Sequence, residues 1–223
     1  MGLWGVGVGL FESADGVERA LSLLAATLEA HGAGPYEIVM VGGAAMSVLG
    51  LGIRPTRDVG VLALREDAAD SPRIALVKRK PLPSPLLSAA ASVADALGLE
   101  RHWLNPGPAD LLDLGLPEGF EERLTSRTYG PRLTVWLPSR RDLIFLKTYA
   151  AADTGPGRHT EDLEALRPSC DELLAGARWA RSQDPSEAFC RMLVGLLHYF
   201  DCKTAAEELR GDEPRTHGQD HHG

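Results

Sequence analysis

The residues that could do chemistry cluster early in the chain. Gly42 and Gly43 follow a short apolar run, Tyr36 to Val41, and precede a short helical stretch from Ala44 to Leu49. Glycine permits close backbone approach, and helix N-termini favour anions, so this turn is a candidate phosphate contact; a plain tight turn is the alternative. A dozen residues later come Thr56, Arg57 and Asp58, at the start of a Val- and Leu-rich strand candidate from Asp58 to Leu64. A carboxylate there suits a hard cation such as Mg²⁺. Asp58 could equally cap or pair with Arg54 or Arg57, while Thr56 and Arg57 are candidate pocket residues.

Other features carry less chemistry. A serine elbow of the G-x-S-x-G kind is missing, so hydrolase chemistry has no support. Cys170, Cys190 and Cys202 form no CxxC pair. An odd count spaced along apparent helices reads as buried or free thiols in a reducing cytoplasm, with no structural disulfide. The net charge of -8 argues against a broad non-specific grip on nucleic acid but leaves room for a local basic pocket. The apolar opening has no basic n-region, its Val6 fails the myristoylation pattern, and its Gly5 to Gly9 run follows no strand. No later run reaches the length of a membrane span.

The elements that must position these residues follow from periodicity and capping. Asp15 with Glu18 starts a helix whose face is Val17, Leu21, Leu24, Ala25 and Leu28, ended by Gly32. Arg73 to Val77 and Arg132 to Leu137 are further strand candidates. Ser84 and Pro85 open a helix that Gly98 ends, and 105–118 reads as a connecting loop around a short helical piece. Ser139 with Asp142, Ser169 with Glu172, and Asp184 with Glu187 repeat the capping-box pattern. Phe189, Met192, Leu193, Leu196, Leu197 and Phe200 make an apolar helical stripe. The expected fold is α/β (α+β), a small mixed sheet flanked by helices with a helical C-terminal part. The expected divisions are a flexible leader over 1–12, a core over 13–152, helices over 153–203 and a disordered tail over 204–223, whose His217, His221 and His222 are not read as a metal site.

The segment Val41-Gly42-Gly43-Ala44-Ala45, followed by Arg54-Pro55-Thr56-Arg57-Asp58-Val59-Gly60-Val61, resembles the signature of the minimal nucleotidyltransferase superfamily. In that pattern a Gly-Gly or Gly-Ser turn meets a nucleoside triphosphate and a following strand carries Asp-x-Asp. Alternate strand residues point the same way and so can share a metal pair. Trp103-Leu104-Asn105-Pro106, Leu116 to Phe120, Asp142 to Lys147 with Tyr149-Ala150-Ala151, and Asp162 to Leu166 extend the similarity over roughly 13–200. They resemble a bacterial branch of unknown function related to the nucleotidyltransferase toxins of abortive-infection toxin-antitoxin pairs.

That resemblance implies transfer of a nucleoside monophosphate from a triphosphate to an acceptor, RNA or protein among the candidates, in a cytoplasmic protein with an antitoxin partner and no membrane. It implies Gly42, Gly43, Thr56 and Arg57 on the nucleotide, Asp58 on Mg²⁺ and Lys147 on the triphosphate; by itself, Lys147 reads as a solvated head on an apolar stem. Asp142 is a helix cap, and Asp153, His159 and Asp162 are weaker candidates for a substrate rim. The pattern is broken where Gly60 replaces the second carboxylate and His102 stands where a third acid is sought. Glu66 and Asp110 are the acidic side chains whose reach to Asp58 the structure has to decide, and Gly60→Asp is expected to be tolerated in the presence of Mg²⁺ and to raise divalent-metal affinity. The other implied reading is a catalytically degenerate member that binds a nucleotide or protein partner without turnover.

Overall fold

A computed structural model describes residues 9–52, 54–67 and 74–212. The chain divides between Leu143 and Ile144 into two compact units. The first is the α/β part. Its sheet contains β1 (Tyr36–Val41), β2 (Val59–Asp67), β3 (Ile74–Val77), β4 (Leu104–Asn105), β5 (Thr125–Gly130) and β6 (Leu133–Leu137). Strand order is β3-β2-β1-β6-β5, with β4 beside the start of β2. β1 runs antiparallel to β2 and parallel to β6, so the sheet is mixed.

Helices α1 (Ala14–Ala30), α2 (Gly42–Val48) and α3 (Ser84–Leu97) belong to this unit, and α1 packs against both others and against β5 and β6. The predicted face of α1, Val17, Leu21, Leu24, Ala25 and Leu28, is fully or almost fully buried. Its cap differs from expectation. The helix starts at Ala14 behind Ser13, which puts Asp15 in the first turn, while Glu18 reaches Arg127 on β5 at 2.5 Å. Gly98 in the left-handed conformation ends α3 as expected. Trp103, wholly buried, donates its indole N–H to the Ala90 carbonyl of α3 at 2.8 Å and meets Phe11 edge-on.

Phe11 corrects the leader reading in part. It exchanges backbone hydrogen bonds with Thr56 at 2.7 and 3.0 Å and is 3% exposed, so 9–12 is docked; the rest of the leader lies outside the described residues. The connecting segment 105–118 contains a 3-10 turn, Gly107–Asp110, and the short helix α4 (Leu111–Leu114). β5 was not foreseen, because Thr-Ser-Arg-Thr-Tyr-Gly has no apolar alternation and four of its six residues are exposed.

The division falls inside α5 (Arg140–Thr154). The second unit continues with α6 (Arg158–Leu166), α7 (Cys170–Gln183), α8 (Glu187–Tyr199) and α9 (Lys203–Gly211). The Ser169–Glu172 capping box is formed in full. The next cap moves two residues on, since Ser186 accepts from Phe189 N–H while the Asp184 carboxylate accepts from Ser186 N–H. On α8, Phe189, Leu193, Leu196 and Leu197 are buried as expected, but Met192 is 45% exposed. The segment 204–211 is helical rather than disordered, because Ala205, Ala206 and Leu209 give it an apolar face that is buried in this unit. His217, His221 and His222 lie outside the described residues.

The cysteine reading is overturned. Cys170, the first residue of α7, is disulfide-bonded to Cys202, the residue before α9, with Cα atoms 5.4 Å apart. The spacing along the sequence hid the pair; it is the return of α8 that brings the two helix starts together. Cys190 keeps its thiol and is buried. Among the described residues no helix is long and apolar enough to cross a membrane.

Candidate functional site

β1 delivers the chain into α2 at Gly42, whose φ of +81° belongs to the left-handed region that favours glycine. Val41, the cap residue of α2, makes no side-chain hydrogen bond to the helix start. Gly43 matters through closeness. A Cβ there would lie 3.1 Å from Thr56 Oγ1, 3.3 Å from Thr56 Cβ and 3.8 Å from an Arg54 guanidinium nitrogen. Gly42, Gly43 and Thr56 are therefore brought together, with Arg54 as a fourth member the sequence reading named only as a partner for Asp58. Thr56 is buried, and its hydroxyl donates to the Asp58 carbonyl at 3.2 Å. Arg57 is exposed.

Asp58 is exposed, directly before β2. Its Oδ2 accepts from the Asn105 amide at 2.7 Å, and Asn105 Oδ1 accepts from Gly107 N–H at 2.9 Å. β4 pairs with β2 in the register Val59↔Leu104 and Gly60↔Asn105, which carries the Gly107–Asp110 turn over the place where the second carboxylate was expected. A Cβ at Gly60 would lie 2.8 Å from Pro108 Cγ and 3.3 Å from its Cδ. The expectation that an aspartate at 60 fits is therefore wrong: the proline ring occupies that space. His102 is exposed, and its carbonyl accepts from Asn105 at 3.4 Å.

These two acidic candidates have other partners. Glu66 is held by Arg79 in a two-pronged pair, which keeps its carboxyl below the ordinary range. Asp110 is held by Lys78 at 2.8 Å and by Lys80, which bring its carboxyl down to about 2. Among the described residues no group of three His, Cys, Asp or Glu is placed to hold a metal ion. The donor set at the start of β2 is one carboxylate already engaged by an amide, which does not fit a pair of Mg²⁺ ions.

Asp142 does more than cap a helix. Its side chain is wholly buried, takes Arg123 Nη2 at 2.6 Å and Nε at 3.1 Å, and accepts the Ser139 hydroxyl at 2.6 Å. Arg123 also donates to the Glu118 carbonyl at 2.8 Å, and a Cβ on Gly119 would lie 2.5 Å from its Nη1. Arg123 thus ties Glu118 to Asp142 within the first unit. Arg123 was missed because nothing in its local pattern marks it.

In the second unit, the Lys147 ammonium is paired with Asp162, with side chains 7% and 3% exposed. A buried lysine needs such a counter-charge, so Asp162 is its electrostatic partner rather than a rim residue. Asp153 is exposed, and His159 is half-buried with Arg158 Nε 3.3 Å from its Nε2. In comparisons with protein-family models, curated proteins and solved structures, nothing matches this chain.

Proposed function

We propose that this chain is a nucleotidyltransferase-like protein that binds the phosphates of a nucleoside triphosphate and does not transfer the nucleotide. The observation that carries the loss of turnover is the Pro108 ring against Gly60. Two-metal transfer needs carboxylates that together hold a metal ion on each side of an in-line displacement, and one of those carboxylates is missing with its space filled. Losing such a preorganised stabiliser typically costs about 10²- to 10³-fold in rate.

Support for nucleotide binding comes from the start of α2. Backbone N–H groups behind a cap residue, Val41, that makes no side-chain hydrogen bond to them, and the Arg54 guanidinium beside Gly43, suit phosphate oxygens. Asp58 is the residue that would face a nucleotide-borne Mg²⁺, and Arg57 extends the cationic edge. The transfer reading, with an RNA or protein acceptor, and the antitoxin partner rest on the sequence resemblance alone. Lys147 acts within its own unit as the counter-charge of Asp162.

Calorimetric titration with each of the four nucleoside triphosphates, with and without Mg²⁺, tests the reading. Saturable binding that weakens about tenfold or more in Arg54→Gln supports it, that factor being what one charge-assisted hydrogen bond contributes. Failure of all four to bind folded protein at millimolar concentration overturns it.

A further inference from the structure

We infer that the outer side of α8 is a binding groove for a small amphipathic anion, a carboxylate or phosphate monoester head on an apolar body, with Arg191 and Arg210 at the head and Met192 and Tyr199 along the body.

Two hollows flank this helix. One, of about 610 Å³, is lined by α8 and by Arg210 of α9; the other, of about 270 Å³, is lined by α8, by Ala151 of α5, by the Gly155-Pro156 turn and by Thr160 of α6. Their walls share Arg191 and Gly195, so they lie side by side with these two residues between them. Volumes of this order suit small molecules.

Gly195 is the informative residue. Glycine in a helix interior is the least favourable choice short of proline, and here no packing demands it, because a Cβ would meet nothing within 4 Å. Its missing side chain keeps the ridge between the two hollows low.

The two ends differ in chemistry. Among the described residues lining the larger hollow, Arg191, His198 and Arg210 stand against one carboxylate, Glu187. Arg191 pairs with Glu187 at 3.4 Å, but both side chains are mostly exposed, so an incoming anion displaces the pair at little cost. Arg210 turns Nη2 to the His198 ring at 3.5 Å. Two guanidinium groups within one hollow suit an anionic head.

At the smaller hollow the walls are apolar. Met192 and Tyr199 are 45% and 57% exposed, although the periodicity of α8 would assign Met192 to the core. The Tyr199 hydroxyl donates to Glu164 at 2.6 Å, which holds the ring as a side wall. An exposed apolar hollow beside a cationic one is complementary to a molecule carrying both characters.

The test is calorimetric titration of the full chain with decanoate and with octyl phosphate, against decanol and acetate as the separate halves. At least one amphipathic anion should bind saturably at one site and about tenfold or more tighter than either half, and Arg210→Gln should weaken it by a similar factor. The stronger of the two names the head. Met192→Glu, at an exposed position where folding is not at stake, should also weaken binding. Gly195→Leu should block it without lowering the unfolding midpoint. Decanoate and octyl phosphate binding no tighter than decanol or acetate, or Met192→Glu binding both as the parent does, overturns the proposal. Nucleotide binding is read in the same titrations, and its loss or retention leaves this outcome separate.

Discussion

Gly60 and Pro108 give the most quantitative prediction. In Gly60→Ala the new methyl carbon would sit 2.8 Å from Pro108 Cγ, well inside van der Waals contact, on a strand paired on both sides. The Gly107–Asp110 turn must move, and its Ala109 is itself buried, so the substitution costs about 1 to 3 kcal/mol by overpacking. Gly60→Asp costs more, because a carboxylate is added to the same crowded place. Pro108→Ala removes the two ring carbons that clash, so Gly60→Ala should be better tolerated in that background than alone. Urea unfolding of the parent, both single variants and the double variant measures the coupling, expected to exceed about 0.5 kcal/mol in the favourable direction. Additivity within about 0.5 kcal/mol would show that the ring does not fill the position, and the case for lost turnover would fall with it.

Three further outcomes are expected. Removing the Cys170–Cys202 bond by Cys202→Ala should lower stability by about 3.7 kcal/mol, the loop-closure entropy for the 32-residue separation, in urea unfolding under oxidising conditions, and a parent that is as stable after full reduction as before it would contradict this. Lys147→Met leaves the buried Asp162 carboxylate without its counter-charge and should cost about 3 to 5 kcal/mol, with Asp162→Leu added to it recovering part of the loss in denaturant unfolding. Asp110, with its folded carboxyl at about 2 against an ordinary 3.8, stabilises the fold above the ordinary value and loses that contribution as pH falls towards 2; NMR titration of its carboxyl should move back towards 3.8 in Lys78→Gln with Lys80→Gln.

Much of the scaffold could be read from residue patterns because it is local. The bounds of β1, the buried face of α1 and the Gly98 stop of α3 all follow from periodicity and turn chemistry. The closeness of Thr56 to Gly43 was suggested only through the family resemblance, because a glycine pair after a strand is common and does not by itself name its neighbours. What could not be read depends on distant pairing. Asn-Pro-Gly-Pro at 105–108 reads as a loop, and only the two-residue pairing of β4 with β2 brings Asn105 to Asp58 and Pro108 to Gly60. Arg123 meets Asp142 across 19 residues, and Cys170 meets Cys202 through the return of α8. The stripe on α8 was right in its period and wrong at Met192, because periodicity names a face but not how much of it a neighbour covers.

The most direct test combines binding with turnover. The full chain is incubated with Mg²⁺ and each nucleoside triphosphate labelled at the α-phosphate, alongside total RNA and cell protein as acceptors, while bound nucleotide and released pyrophosphate are measured together. The account predicts bound triphosphate that weakens in Arg54→Gln, with no pyrophosphate released and no label transferred. Pyrophosphate release that disappears in Asp58→Ala would contradict it, and would make Asp58 a catalytic carboxylate despite the proline beside Gly60.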